Sequence, residues 1–148
     1  MLKTIFPKLL NSFKLQNPLN FPPEISFSKY HGGGYATSVT NGTVALHLAL
    51  LALGIGEGDE VIVPSFTFIA SATAIPLVGA TPIFVDIEED YWCLDVKAVE
   101  AAITPRTKAV IGVHIFGQPY DPNLIELCKL RNIALIEDAA QAHGATQV

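Results

Sequence analysis

The chain predicts an α/β protein, a mostly parallel sheet with flanking helices. Short apolar runs rich in β-branched residues alternate with helical stretches from Glu60 to Asp138, the pattern of strands joined by right-handed crossovers. The last run, Ile133-Ala-Leu-Ile136, ends abruptly in Glu137 and Asp138. An apolar run stopped by charge reads as a buried parallel strand that delivers both carboxylates to its carboxyl edge, where ligands of open α/β sheets sit. The Gly-x-Gly-x-x-Gly dinucleotide fingerprint is absent, so an ordinary Rossmann domain loses its main support.

With 148 residues there is room for one domain. Half of the residues are apolar and the mean hydropathy is +0.40, so the chain is rich in core. Gly, Pro and His interrupt every apolar run before it reaches the ~20 residues of a membrane span, and no membrane partner is expected. Cys93 and Cys128 have neither metal-type nor Cys-x-x-Cys spacing; no metal site is expected, and the thiols suggest packing roles in a reducing, cytoplasmic compartment. The net charge of −5 is uneven: residues 1–40 carry four lysines against Glu24, a balance of +3, leaving −8 for residues 41–148. A nucleic-acid binder needs a basic stripe, and none is present.

Residues 1–28 read as a divergent arm. Residues 1–15 could make a short amphipathic piece broken by Pro7, and Pro18, Pro22 and Pro23 a loop or extended segment. The continuous apolar centre of a signal peptide is missing. His31-Gly-Gly-Gly-Tyr35 is similar to the oxyanion loop of lipases, but no serine has the Gly-x-Ser-x-Gly setting that such a hydrolase requires. It reads instead as a turn before a short strand, Tyr35 to Val39.

From Asn41 to Gly54 the chain predicts a helix, with Asn41 as N-cap and Gly54 as its stop. The residues between are apolar on nearly every face, which predicts burial all round. Its first turn, with Gly42 and Thr43, is either an ordinary capped start or a phosphate seat built from unpaired N–H groups. His47 reads as packed rather than as a ligand. Glu60 to Pro64 is a strand, Phe66 to Val78 a helix bent by Pro76, and Thr81 to Asp86 a strand. Glu88-Glu-Asp90 is a solvated loop. Asp95 caps a helix to Ile103, with Leu94 and Val99 placed as a hydrophobic staple. Lys108 to Val113 is a strand. Asp121 caps the next helix, Pro122 opens it, and Lys129 and Arg131 suit its carboxyl end. By itself, Asp138 after the final strand is most simply an Asp capping the next turn.

A phosphate seat at Gly42-Thr43, an aromatic ring at Phe68 and an acid at Asp138 together are what pyridoxal phosphate requires. The sequence resembles the sugar aminotransferases of the DegT/DnrJ/EryC1/StrS family from about Lys29 to Ala145. The matching text is Thr40 to Leu50, Gly58 to Phe68, Gly79 to Asp86, Ile103 to Ala109, Val113 to Pro119 and Glu137 to Gly144. That resemblance implies an incomplete large domain of a fold-type I pyridoxal-phosphate enzyme over residues 29–148. It implies that Gly42 and Thr43 hold the cofactor phosphate, Phe68 stacks on the ring, Asp138 pairs with the ring nitrogen and Gln141 lies near the ring hydroxyl. It further implies a homodimer in the full-length form, with glutamate as donor and a nucleotide-linked keto sugar as acceptor. The text is closest to members that make 4-amino sugars such as perosamine.

Two departures accompany the match. The family's Schiff-base lysine lies tens of residues beyond the Glu-Asp-Ala-Ala stretch, whereas this sequence stops at Val148. Lys97, Lys108 and Lys129 do not occupy the lysine's place, and the small domain has no counterpart. The expectation is therefore a front part of an aminotransferase, inactive by itself; the alternative is a non-catalytic remnant that binds a partner or cofactor, or does nothing.

Overall fold

The computed structural model describes residues 23–146, so the amphipathic piece expected over residues 1–15 lies outside the described residues. The chain divides into two compact units, Met1–Asn41 and Gly42–Val148. In the first, α1 (Pro23–Tyr30) occupies a stretch expected to be loop. Proline at the first helical position lacks only an N–H that would have no helical partner, so Pro23 starts this helix rather than preventing one. Residues 35–39 form no strand. Tyr35 and Val39 stay exposed, so the apolar members of this run find no sheet face to lie on.

The second unit holds α2 (Gly42–Ala52), β1 (Glu60–Pro64), α3 (Ile69–Thr73), β2 (Thr81–Val85), α4 (Val96–Ala102), β3 (Thr107–Val113), α5 (Asn123–Arg131) and β4 (Ala134–Asp138). Its four strands are parallel in the order β2-β1-β3-β4. Ile62 of β1 lies between Ile83 of β2 and Val110 of β3. Val113 and Asp138 stand opposite each other at the far end of the β3–β4 pair. Strands buried on both faces need not alternate, and all five residues of β1 are buried. Pro82 removes a ladder donor, which an edge strand such as β2 tolerates.

Two side chains at the end of β4 reveal the layers. Successive strand residues point to opposite faces; Glu137 meets Tyr120, while Asp138 meets Ser71 of α3. Accordingly α2 packs with α3, and α4 with α5. Chain order runs from β1 outward to β2 and then back past β1 to β3, so the connection changes direction at the carboxyl ends of β1 and β3. A crevice at such a point is the ordinary ligand position of an open α/β sheet.

Three local differences from the sequence expectation have physical causes. The helix expected over Phe66 to Val78 is broken into α3 and a separate 3-10 turn, Pro76–Val78, closed by Gly79 at φ 83°. Phe68 instead has extended backbone at the entry to α3, and Pro76 has no N–H with which to continue the helical ladder. Helix α2 forms where expected, but only Leu46 and Leu50 are buried. Leu51 is 53% exposed and Val44 39%, because α2 turns one face inward, toward α3 and β4, and the other outward. Helix α5 starts at Asn123, one residue later than expected, with the Asp121 carboxylate still accepting from the Asn123 N–H at 2.8 Å. The cap at Asp95 forms as expected, accepting from the Lys97 N–H at 2.9 Å.

At the opposite, amino edge of the sheet, Glu60 is buried and fully engaged. Arg106 Nε donates to its Oε1 at 2.8 Å, and the Thr104 hydroxyl donates to its Oε2. The Thr104 hydroxyl and the Arg106 guanidinium together hold the Glu60 carboxyl below its ordinary range, against the opposing effect of burial.

Candidate active site

Asp138 is half-buried at the end of β4. Its Oδ2 accepts from Ser71 Oγ at 2.8 Å and its Oδ1 from the Ala140 N–H at 3.2 Å. An ionised carboxylate is acceptor-only with about four lone-pair sites, so both oxygens are anchored and each retains capacity for a further donor. The cap expected of an Asp in this setting is present, in the bond to Ala140. It accounts for one oxygen only.

Ser71 reaches this acid from a fully buried place on α3. Thr67 Oγ1 lies 3.3 Å from Ser71 Oγ. Next to Thr67, Phe68 begins α3 with 71% of its surface exposed, leaving ring area open for stacking. Gln141 turns its Oε1 toward the loop after β3 and accepts the Phe116 N–H at 2.9 Å. That bond supports a left-handed turn, with φ 51° at Phe116 and 85° at Gly117. Gly42 and Thr43 form the first turn of α2, which packs on α3 and β4. A Cβ at Gly42 would meet nothing within 4 Å. Phe68, Asp138 and Gln141 thus gather at the carboxyl edge, and Gly42 and Thr43 stand at the amino end of a helix packed on the same elements.

This arrangement sits within a recognisable relationship. Residues 17–148 match the profile of the DegT/DnrJ/EryC1/StrS aminotransferase family. The chain belongs to that family. It is 54% identical over 123 residues to the GDP-perosamine synthase of Escherichia coli O157:H7, covering 82% of this chain and 34% of that protein. It is 50% identical over 123 residues to the dTDP-3-amino-3,4,6-trideoxy-alpha-D-glucose transaminase of Streptomyces venezuelae, covering 82% and 32%. Among solved structures, S. venezuelae DesV in complex with a ketimine intermediate superposes with a TM-score of 0.81 and 46% identity, over 93% of this chain and 38% of that one. The chain therefore spans about a third of the length of the curated relatives it matches.

Aminotransferases of the DegT/DnrJ/EryC1/StrS family depend on pyridoxal phosphate. The donor set here fits that group: an anchored acid for a ring nitrogen, an open aromatic face, and a helix start with free space around a glycine.

Sequence reasoning missed Ser71, which reads as one small residue among alanines, and it missed the network behind the acid. His114 stacks on Tyr120, with ring centroids 4.3 Å apart and planes 12° from parallel. Its backbone N–H donates to the Asp138 carbonyl at 3.1 Å, and its Nδ1 accepts from the Tyr120 N–H at 3.3 Å. Tyr120 is buried, and its hydroxyl donates to Glu137 Oε1 at 2.7 Å. Burial pushes His114 below its ordinary 6.5, with Glu137 and Asp138 opposing the shift. Burial and then the bond to Glu137 push the Tyr120 hydroxyl above its ordinary range.

The lysines of this unit lie elsewhere. Lys97 is in the first turn of α4, Lys108 near the start of β3 and Lys129 in the last turn of α5, paired with Glu126 at 2.8 Å. No group of three or more His, Cys, Asp or Glu suited to a metal ion occurs among the described residues, and no helix among them is long and apolar enough to cross a membrane.

Proposed function

We propose that residues 29–148 form part of the cofactor-holding large domain of a pyridoxal-phosphate-dependent aminotransferase. The reaction moves an amino group from glutamate to the keto carbon of a nucleotide-linked deoxysugar, giving a 4-amino sugar such as perosamine. The observation that carries this reading is the Asp138 carboxylate, anchored through both oxygens at the carboxyl edge and joined through Ser71 and Thr67 to the segment bearing Phe68.

Each residue has a defined task. Asp138 holds a negative charge opposite the ring nitrogen and so retains a proton there. Phe68 stacks on the ring. The N–H groups of the first turn of α2, with the Thr43 hydroxyl, take the phosphate. Gln141 has its amide oxygen committed to Phe116, leaving its NH₂ to donate to the ring hydroxyl. Bound in this place, pyridoxal phosphate supplies the electron sink that stabilises a substrate carbanion. The names of the two relatives carry different nucleotides, GDP and dTDP; a nucleotide-linked sugar is common to both. The full-length enzyme is a cytoplasmic homodimer in this reading, a setting consistent with two free, buried thiols.

The catalytic amine is not Lys97, Lys108 or Lys129, which lie on α4, near the amino edge of β3 and on α5. The 148-residue chain should therefore bind pyridoxal phosphate reversibly and show no amino transfer from glutamate to a nucleotide-linked keto sugar. Absorbance titration should show Asp138→Asn weakening binding by roughly ten- to a hundredfold, the scale of a hydrogen bond to a charged partner. Superimposable curves would remove Asp138 as the ring partner. Turnover by these 148 residues, with one lysine labelled stoichiometrically on borohydride reduction, would overturn the assignment of the amine; turnover only in a chain extended to the relatives' length would support it.

A further inference from the structure

We propose that Ser71 is the positioning residue of the acid, fixing the Asp138 carboxylate in one orientation and tying it to the ring-stacking segment through Thr67. This rests on the reading of Asp138 as the ring-nitrogen partner.

The direction of each bond follows from donor chemistry. A carboxylate can only accept, so the single Ser71 proton points to Asp138 Oδ2 at 2.8 Å. Ser71 Oγ is then free to accept, and the 3.3 Å contact with Thr67 Oγ1 has Thr67 as donor. The result is a one-way chain, Thr67 to Ser71 to Asp138, beginning one residue before Phe68. The Ala140 N–H holds the other carboxylate oxygen at 3.2 Å. With one donor on each oxygen the carboxyl plane cannot turn freely, and the remaining lone pairs are offered in a fixed direction.

The placement of Ser71 supports a dedicated role. A helical serine commonly returns its hydroxyl to a carbonyl of the preceding turn. Here the hydroxyl crosses instead to a strand 67 positions further along the chain. Ser71 is 0% exposed, so its hydroxyl finds its partner inside the protein rather than in bulk water. Without that hydroxyl Asp138 would keep Ala140 alone and could rotate away from the ring nitrogen.

The test uses the 148-residue chain and pyridoxamine 5′-phosphate, a probe with no aldehyde to react with stray lysines. Dissociation constants are measured for wild type, Ser71→Ala, Ser71→Thr, Asp138→Asn and the Ser71→Ala/Asp138→Asn double variant. The ring-nitrogen ¹⁵N shift of labelled probe is recorded alongside. Ser71→Ala should weaken binding roughly tenfold and move the ring nitrogen toward its unprotonated shift. Ser71→Thr, which keeps the hydroxyl, should restore both, and Ser71→Ala should add nothing in the Asp138→Asn background. Ser71→Cys, near in size and a poor donor, takes the place of alanine if that variant does not fold. Wild-type affinity in Ser71→Ala, or losses that multiply in the double variant, would overturn the inference while leaving the Asp138 reading intact. Unchanged binding by Asp138→Asn, or no binding by wild type, would overturn the Asp138 reading itself, and this inference with it.

Discussion

Tyr120 lies across β3 only because residue 112 has no side chain. A Cβ there would stand 2.7 Å from Tyr120 Cε1 and 3.0 Å from Cδ1. The ring cannot yield, since His114 stacks on it and Glu137 holds its hydroxyl. Gly112→Ala should therefore destabilise by about 1–3 kcal/mol, the range for overpacking a closed core, seen as a lower urea midpoint with an unchanged slope. His114 offers a second check. Its folded pKa lies below its ordinary 6.5, so between the two values the unfolded chain binds more protons and stability rises with pH. An NMR titration should place the His114 midpoint below 6.5, and the stabilising contribution should be complete above that value and fade as the solution is acidified. A midpoint above it would contradict the desolvation account. At this scale Asp138 was legible, because a strand ending in charge advertises its edge. Ser71 was not: a buried serine among alanines is marked only by a bond to a strand far along the chain. Gly112 and Tyr120 likewise acquire their meaning only when strand and loop are stacked.

The four strands of the sheet were legible as apolar runs, whereas Tyr35 to Val39 reads as a strand and forms none. The helices were less legible. Composition marked α2 as apolar on all sides but could not say which faces find partners, and Phe68 carried no sign that it stands on extended backbone before α3. The connection from α4 into β3 carries its own test. Glu60, Thr104 and Arg106 join the amino end of β1 to the segment entering β3. The Glu60 carboxyl is held below its ordinary value of 4.5, so its stabilising contribution is present above that value and is lost as pH falls through the lower, folded-state value. Glu60→Gln should thus lower the urea midpoint at neutral pH, and the gap to wild type should close in acid. A gap that stays constant to the lowest pH would show that the ionised carboxyl is not the stabilising species.

As a whole the second unit keeps a large apolar surface open. Phe66, Trp92 and Phe116 contact one another edge to face while each remains exposed, and Phe68, Ile69, Leu51 and Val44 add to the uncovered area. Apolar patches of this kind drive association. Sedimentation velocity should show concentration-dependent self-association of the 148-residue chain, and a monodisperse monomer at all concentrations would contradict this. The strand order also dictates a schedule for synthesis. Parallel neighbours cannot be joined by a hairpin, and pairings between distant segments form slowly. As the chain leaves the ribosome β1 can pair early with β2, but its other edge stays bare until residues 107–113 have emerged. Strand β4 docks after β3, on its free edge. Until then Phe68 and the start of α2 are present without the Asp138 carboxylate, so on the reading proposed above a cofactor meeting the nascent chain would find a place for its phosphate before it found the acid.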